Sequence, residues 1–106
     1  MNGFFDGCSN IISLDLTNFD TSNVTDMSFM FNHCEKLKEI KGINKFNTNK
    51  AKNMSAMFQG SYKLEYLDLS NFDTSKVTNI HAMFASCHKL KEIKGINYFY
   101  IHIFFI

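Results

Sequence analysis

The residues of this chain best suited to metal or nucleophile chemistry are three cysteines and four histidines, and two pairs are adjacent: His33-Cys34 and Cys87-His88. A zinc site needs thiolates and imidazoles at short spacings such as C-x-x-C or H-x-x-x-H, and neither spacing occurs. Cys8, Cys34, Ser61 and Cys87 instead follow one another at steps of 26, 27 and 26 residues. A slot that takes serine in place of cysteine asks for a small side chain, not for thiol chemistry. A Cys8–Cys34 disulfide stays open here, because spacing alone does not set the distance between two slots. His33 aligns with Gly7, Gly60 and Ser86, His88 with Ser9, Glu35 and Tyr62, and His81 with Ser28 and Ser55, a variety expected of solvated positions. Ser, Asp and His are spread by the same period, so no nucleophile–base–acid set is unique to one place. The glycines form no phosphate-cradling loop. The expectation is a chain that is not an enzyme, with no catalytic residue, no metal and no cofactor.

The period that distributes these residues is the dominant property of the sequence. LDLTNFDTSNVT begins at Leu14 and LDLSNFDTSKVT at Leu67, while KLKEIKGIN begins at both Lys36 and Lys89; each offset is 53 residues. Within each copy lies a shorter repeat, for Phe5, Phe31, Phe58 and Phe84 are spaced 26, 27 and 26 apart. Such a period is the signature of stacked supersecondary units, each unable to bury its apolar side alone. Units span 8–33, 34–60, 61–86 and, in part, 87–99, after a remnant at 1–7.

Two local patterns alternate inside a unit. Leu14-Asp15-Leu16 and Leu67-Asp68-Leu69 alternate apolar and polar residues, as a short strand with one buried face does. Val24, Met27, Met30 and Phe31 recur at helical spacing, which predicts a short helix. Asp20-Thr21-Ser22 and Asp73-Thr74-Ser75 between them supply turn or cap residues. Gly42 and Gly95 are extra residues beside the strand, read as glycine bulges. If strands stack in parallel at about 4.8 Å, the outward slots form two files, Ser13, Glu39, Tyr66, Glu92 and Asp15, Lys41, Asp68, Lys94. The second file alternates in sign, so each charge meets its opposite.

Composition narrows the function further. A net charge of +1 over 106 residues gives no electrostatic reason to expect nucleic acid or an anionic membrane. No stretch approaches the roughly 20 apolar residues of a membrane span, and the start MNGFFDGCSN has no signal-peptide pattern. Asn23-Val24-Thr25 and Asn53-Met54-Ser55 match a glycosylation pattern that chance supplies in so Asn-rich a chain. After Phe99 the repeat gives way to YIHIFFI, an apolar tail at 100–106 that reads as an improvised cap, as truncation or frameshift debris, or as the start of a membrane segment. No polar cap is recognisable at either end, so self-association through uncapped ends is expected.

The L-x-x-L-x-L core at Ile11, Leu14 and Leu16 matches the strand half of a leucine-rich repeat. LDLSNFDTSKVT followed by M-F-x-x-C-x-x-L resembles the BspA-like leucine-rich repeats of bacterial, mycoplasmal and protist surface proteins, from Phe4 to Phe99. The resemblance implies an α/β repeat solenoid: a right-handed coil with a short parallel β-sheet on its concave face and short helices or turns on its convex face. It implies a cell-surface or extracellular recognition module with an unknown protein or cell-surface ligand, or else an architectural spacer. The candidate binding face is then Ser13, Asp15, Glu39, Lys41, Tyr66, Asp68, Glu92 and Lys94, with Tyr66 as its aromatic anchor. One departure bears on the turn: Phe19, Phe46, Phe72 and Phe99 stand where other leucine-rich repeats carry a bonding Asn, so those backbone groups need another partner.

Overall fold

Three residues per unit form each strand: β1 (Ser13–Asp15), β2 (Glu39–Lys41), β3 (Tyr66–Asp68) and β4 (Glu92–Lys94). The computed structural model describes residues 2–95, so Phe99 and the 100–106 tail lie outside the described residues. In each strand the central aliphatic residue faces the core and its neighbours face outward, which is the pleat applied to S-L-D, Y-L-D and E-I-K. β1 pairs with β2 in parallel, Ser13 opposite Glu39 and Asp15 opposite Lys41. β3 pairs with β4 in the same way, Tyr66 opposite Glu92 and Asp68 opposite Lys94. Equivalent residues of those units are therefore neighbours.

The expected single sheet is split, because β2 and β3 do not pair. The cause is the extra glycine. Gly42 adopts a left-handed conformation (φ 88°) and starts a 3₁₀ turn at Ile43–Lys45. That turn, not β2, packs beside β3, and most Cα–Cα distances between β2 and β3 exceed 8 Å.

The expected helix over Val24–Phe31 does not form; the single helical segment among the described residues is that 3₁₀ turn. The amides that a helix would use internally go to the next unit instead. Met27, Phe29, Phe31 and His33 donate their N–H to the carbonyls of Asn53, Ser55, Met57 and Gln59. Met54, Ala56, Phe58 and Gly60 donate in turn to Asn79, His81, Met83 and Ala85. Phe29 (φ 59°) and His33 (φ 55°) are left-handed, which no α-helix accommodates. The Ser28 N–H is claimed by the Asp26 carboxylate two residues back, the side-chain competition that disfavours helix interiors. Spacings of three and four thus describe one buried side of a turning chain, and Met27, Met30 and Phe31 are fully buried on it.

The core lies between the strand side and this turn side. Phe5, Phe31, Phe58 and Phe84 stack ring on ring, with centroids 5.5–5.9 Å apart and planes within 3–7°. Met54, Met57, Leu37 and Leu64 pack with the same cluster.

Threonine supplies the bonds that the missing Asn would have made. Thr48 Oγ1 donates to the Asp73 carbonyl (3.1 Å) and accepts from the Asp73 N–H (2.7 Å). Thr21 does the same with Asn47. Thr48→Val keeps the shape and strands both Asp73 groups, so it is expected to cost about 1–3 kcal/mol. A lower urea midpoint at unchanged m would show it, with Thr48→Ser close to wild type. An unshifted midpoint for the valine variant would mean that this ladder contributes nothing.

Candidate functional site

The outward strand row is the surface that sequence singles out, and the pleat places all eight residues on it. Ser13, Asp15, Glu39 and Lys41 lie together on the β1–β2 pair, and Tyr66, Asp68, Glu92 and Lys94 on the β3–β4 pair. Tyr66 is 61% exposed, the most exposed large apolar residue described. Over β2, the turn that follows it, β3 and β4 lies an open cleft of about 560 Å³. Glu39, Lys41, Tyr66, Asp68, Glu92 and Lys94 line it, whereas Ser13 and Asp15 do not. Sequence reasoning missed the cleft itself and its lining by Lys38, Ile43 and Asn44. The signal was present in the 27-residue step at Gly42, which was read only as a bulge.

The charged file is in register within each strand pair but breaks between Lys41 and Asp68, and it is not a chain of ion pairs. Asp15 faces Lys41 and Asp68 faces Lys94, yet the single ion pair among the described residues is Lys91–Glu65 at 2.8 Å. The Asp15 carboxylate accepts instead from the hydroxyl (2.6 Å) and the N–H (3.1 Å) of Thr17. Those bonds hold its pKa below the ordinary 3.8, with the Lys41 charge a lesser cause. Ser70 does the same for Asp68, Ser22 for Asp20 and Ser75 for Asp73. Each aspartate of the file thus bonds its own turn before it meets a neighbour's charge, and the row's mutual attraction is weak.

The sign of the pH dependence follows. A carboxylate whose folded pKa is depressed stabilises the fold above its unfolded pKa, and that stabilisation is lost as pH falls through the folded value. Stability is therefore expected to hold on acidification to near 3.8 and to decline below it. Urea midpoints measured from about pH 5 to about pH 2 check this. A flat profile would contradict the turn bonds.

Among the described residues the Cys and His positions do not gather in one place. Cys34 Sγ donates to the Phe5 carbonyl (3.2 Å), Ser61 Oγ to Phe31 (2.8 Å) and Cys87 Sγ to Phe58 (3.0 Å), so the slot is a small donor beneath the phenylalanine stack. All three cysteines are free thiols in this structure. Burial pushes the Cys34 thiol up to about 12 and Cys87 to about 11, the direction of an inert group. His88 stacks on Tyr62 at 5.4 Å, and the His33 ring lies against Gly60. Among the described residues no three His, Cys, Asp or Glu converge as metal ligands, and no helix is long and apolar enough to cross a membrane.

Coil-to-coil bonding of equivalent residues, together with an exposed strand row, defines a tandem-repeat protein. The family model described as Mycoplasma protein of unknown function, DUF285, matches residues 1–100, and the chain belongs to that family. No curated protein and no solved structure matches it.

Proposed function

We propose that this chain is a non-enzymatic recognition module of a cell-surface protein, built as a BspA-like, leucine-rich-repeat-like right-handed solenoid that binds a protein or host-surface ligand through its strand face. The observation that carries the reading is Tyr66, held 61% exposed on a paired strand at the mouth of the cleft. An exposed aromatic fixed by a rigid strand loses little entropy when a partner covers it, and such residues dominate interface energetics. Membership of a mycoplasmal family fits a bacterial surface role. The second reading, a spacer without a ligand, is favoured by the turn bonds of Asp15 and Asp68, which give the file an internal job.

Binding of the labelled full chain to host-cell monolayers and to immobilised matrix proteins separates the two. Tyr66→Ala is expected to weaken binding about tenfold at an unchanged melting temperature, as loss of an anchor does. Asp15→Ala with Asp68→Ala removes both turn acceptors. On the spacer reading this pair lowers the melting temperature, and no exposed replacement changes binding. Protease treatment of intact source cells tests the location, and protection from it would remove the surface assignment.

A further inference from the structure

Tyr66 departs from the repeat. Ser13 holds the same slot one 53-residue period earlier, so stacking does not require a ring there. A side chain left 61% exposed adds little to the core. The slots on either side of it in the outward row are both carboxylates. Glu92 stands opposite Tyr66 in register on β4, and Glu39 holds the slot on β2. All three line the open cleft of about 560 Å³. The single ion pair among the described residues is Lys91–Glu65, so neither glutamate is neutralised by one there. Glu39 accepts only a long bond (3.4 Å) from the Ser13 hydroxyl.

The next outward row has a different character. Lys41, Asp68 and Lys94 follow two residues later on the same strands, roughly 6.6 Å along the chain, and they line the same cleft. Asp68 already spends one oxygen on the Ser70 N–H and hydroxyl. The two ammonium groups are the donors that this row offers. One side of the cleft is therefore anionic and aromatic, and the other carries two cations. With Lys38, three lysines stand against Glu39, Asp68 and Glu92, so the lining has no net charge. A bare cation or a bare anion gains little from such a lining. A ligand that carries both charges, spaced as the rows are, gains from each.

We propose that this cleft binds a phosphocholine group, presented as the headgroup of a lipid. The trimethylammonium lies on the Tyr66 ring between Glu39 and Glu92, a cation–π contact strengthened by two carboxylates. The phosphate reaches Lys41 and Lys94, whose ammonium groups donate to its oxygens. Two carbons and one oxygen join the nitrogen to the phosphorus, a link that bridges neighbouring rows. A methylated cation donates no hydrogen bond, so an aromatic face suits it where an ordinary ammonium would seek acceptors. The cleft is open to solvent on the outward strand face, which lets a headgroup bind while its acyl chains stay in a bilayer. Because Ser13 replaces Tyr66 in the earlier period, the described residues carry one such site.

The inference rests on the strand-face reading and names its ligand, and its test is independent of cell binding. The ¹⁵N-labelled full chain is titrated with phosphocholine into the millimolar range. Amide shifts are expected at Glu39, Lys41, Tyr66, Glu92 and Lys94. Choline alone and inorganic phosphate alone should each bind at least about tenfold more weakly. Tyr66→Leu, at an exposed position, should keep the melting temperature and weaken binding about fivefold, as loss of a cation–π contact does. Lys41→Gln with Lys94→Gln should bring phosphocholine down to the affinity of choline alone. Sedimentation with phosphatidylcholine vesicles, and not with phosphatidylglycerol vesicles, is the expected result for the carrier. No amide response, equal binding of choline or phosphate alone, or an unaffected Tyr66→Leu variant overturns the proposal. Binding of free phosphocholine without vesicle binding overturns the lipid as its source. Failure of phosphocholine while Tyr66→Ala still weakens cell binding leaves the recognition reading intact. Phosphocholine binding with Tyr66-independent cell binding has the opposite meaning.

Discussion

Phe58→Ala is expected to lower stability more than any other single replacement, by about 3–5 kcal/mol. Phe58 is fully buried and lies between Phe31 at 5.5 Å and Phe84 at 5.9 Å, so truncation leaves a void in the middle of the stack. Backbone bonds between coils, Phe31 N–H to Met57 O and Phe58 N–H to Met83 O, pin the Phe31 residue and the coil that carries Phe84, so the neighbouring rings have little freedom to collapse into that void. At roughly 4–8 °C per kcal/mol for a domain of this size, the melting temperature should fall by about 20 °C. Folded domains hold only about 5–15 kcal/mol in reserve, so a large unfolded fraction at room temperature is within the expected result. Phe58→Leu should recover about half of the loss, because it restores volume without the stacked ring. If Phe58→Ala melts within a few degrees of wild type, the stack is not the spine of this fold.

Gly42→Ala is the second large effect, expected at about 3 kcal/mol. Two penalties combine there. A left-handed conformation costs a residue with a Cβ about 1–2 kcal/mol, and overpacking against fixed atoms adds about 1–3 kcal/mol. The φ of 88° sets the first, and a Cβ built at Gly42 falls 2.6 Å from both N and Cα of Thr17, which sets the second. Those atoms belong to the neighbouring coil's backbone and do not swing aside. Gly7→Ala is the internal control, since Gly7 is also left-handed (φ 74°) but has nothing within 4 Å of such a Cβ. Thermal unfolding of the two variants should separate them by at least about 5 °C. Equal melting temperatures would show that only conformation matters and that the close approach to Thr17 is without effect. Because Gly42 lines the cleft together with Tyr66 and Asp68, its alanine variant should also disturb the surface around those two residues.

Stacking was legible in the residues because a period forces equivalence. Asp15 opposite Lys41 and Asp68 opposite Lys94 are the neighbours that the period names. The Cys slot was legible for the same reason, since Ser61 stands in it and makes the same bond to a phenylalanine carbonyl. The Val24–Phe31 segment was not legible, because spacings of three and four are shared by a helix and by one buried side of a turning coil. What separates them is the destination of the amides, and these go to a chain about 26 residues away. Nor does a pattern of apolar residues announce Phe29 and His33 in left-handed conformations, which favour glycine and asparagine.

The amino-acid sequence by itself determined which residues are equivalent, which of them seek the core, and that charges of opposite sign would face each other along the stack. Each of those is a property of residue type and period. Tertiary structure alone decided that Asp15 and Asp68 spend their carboxylates on Thr17 and Ser70 before their lysines, and that the strand ladder breaks between β2 and β3 while every flanking ladder continues. The physical reason is one of length against geometry. A single inserted glycine changes the path by one residue, a small step in sequence, yet the 3₁₀ turn it permits takes the place beside β3 that β2 would otherwise fill.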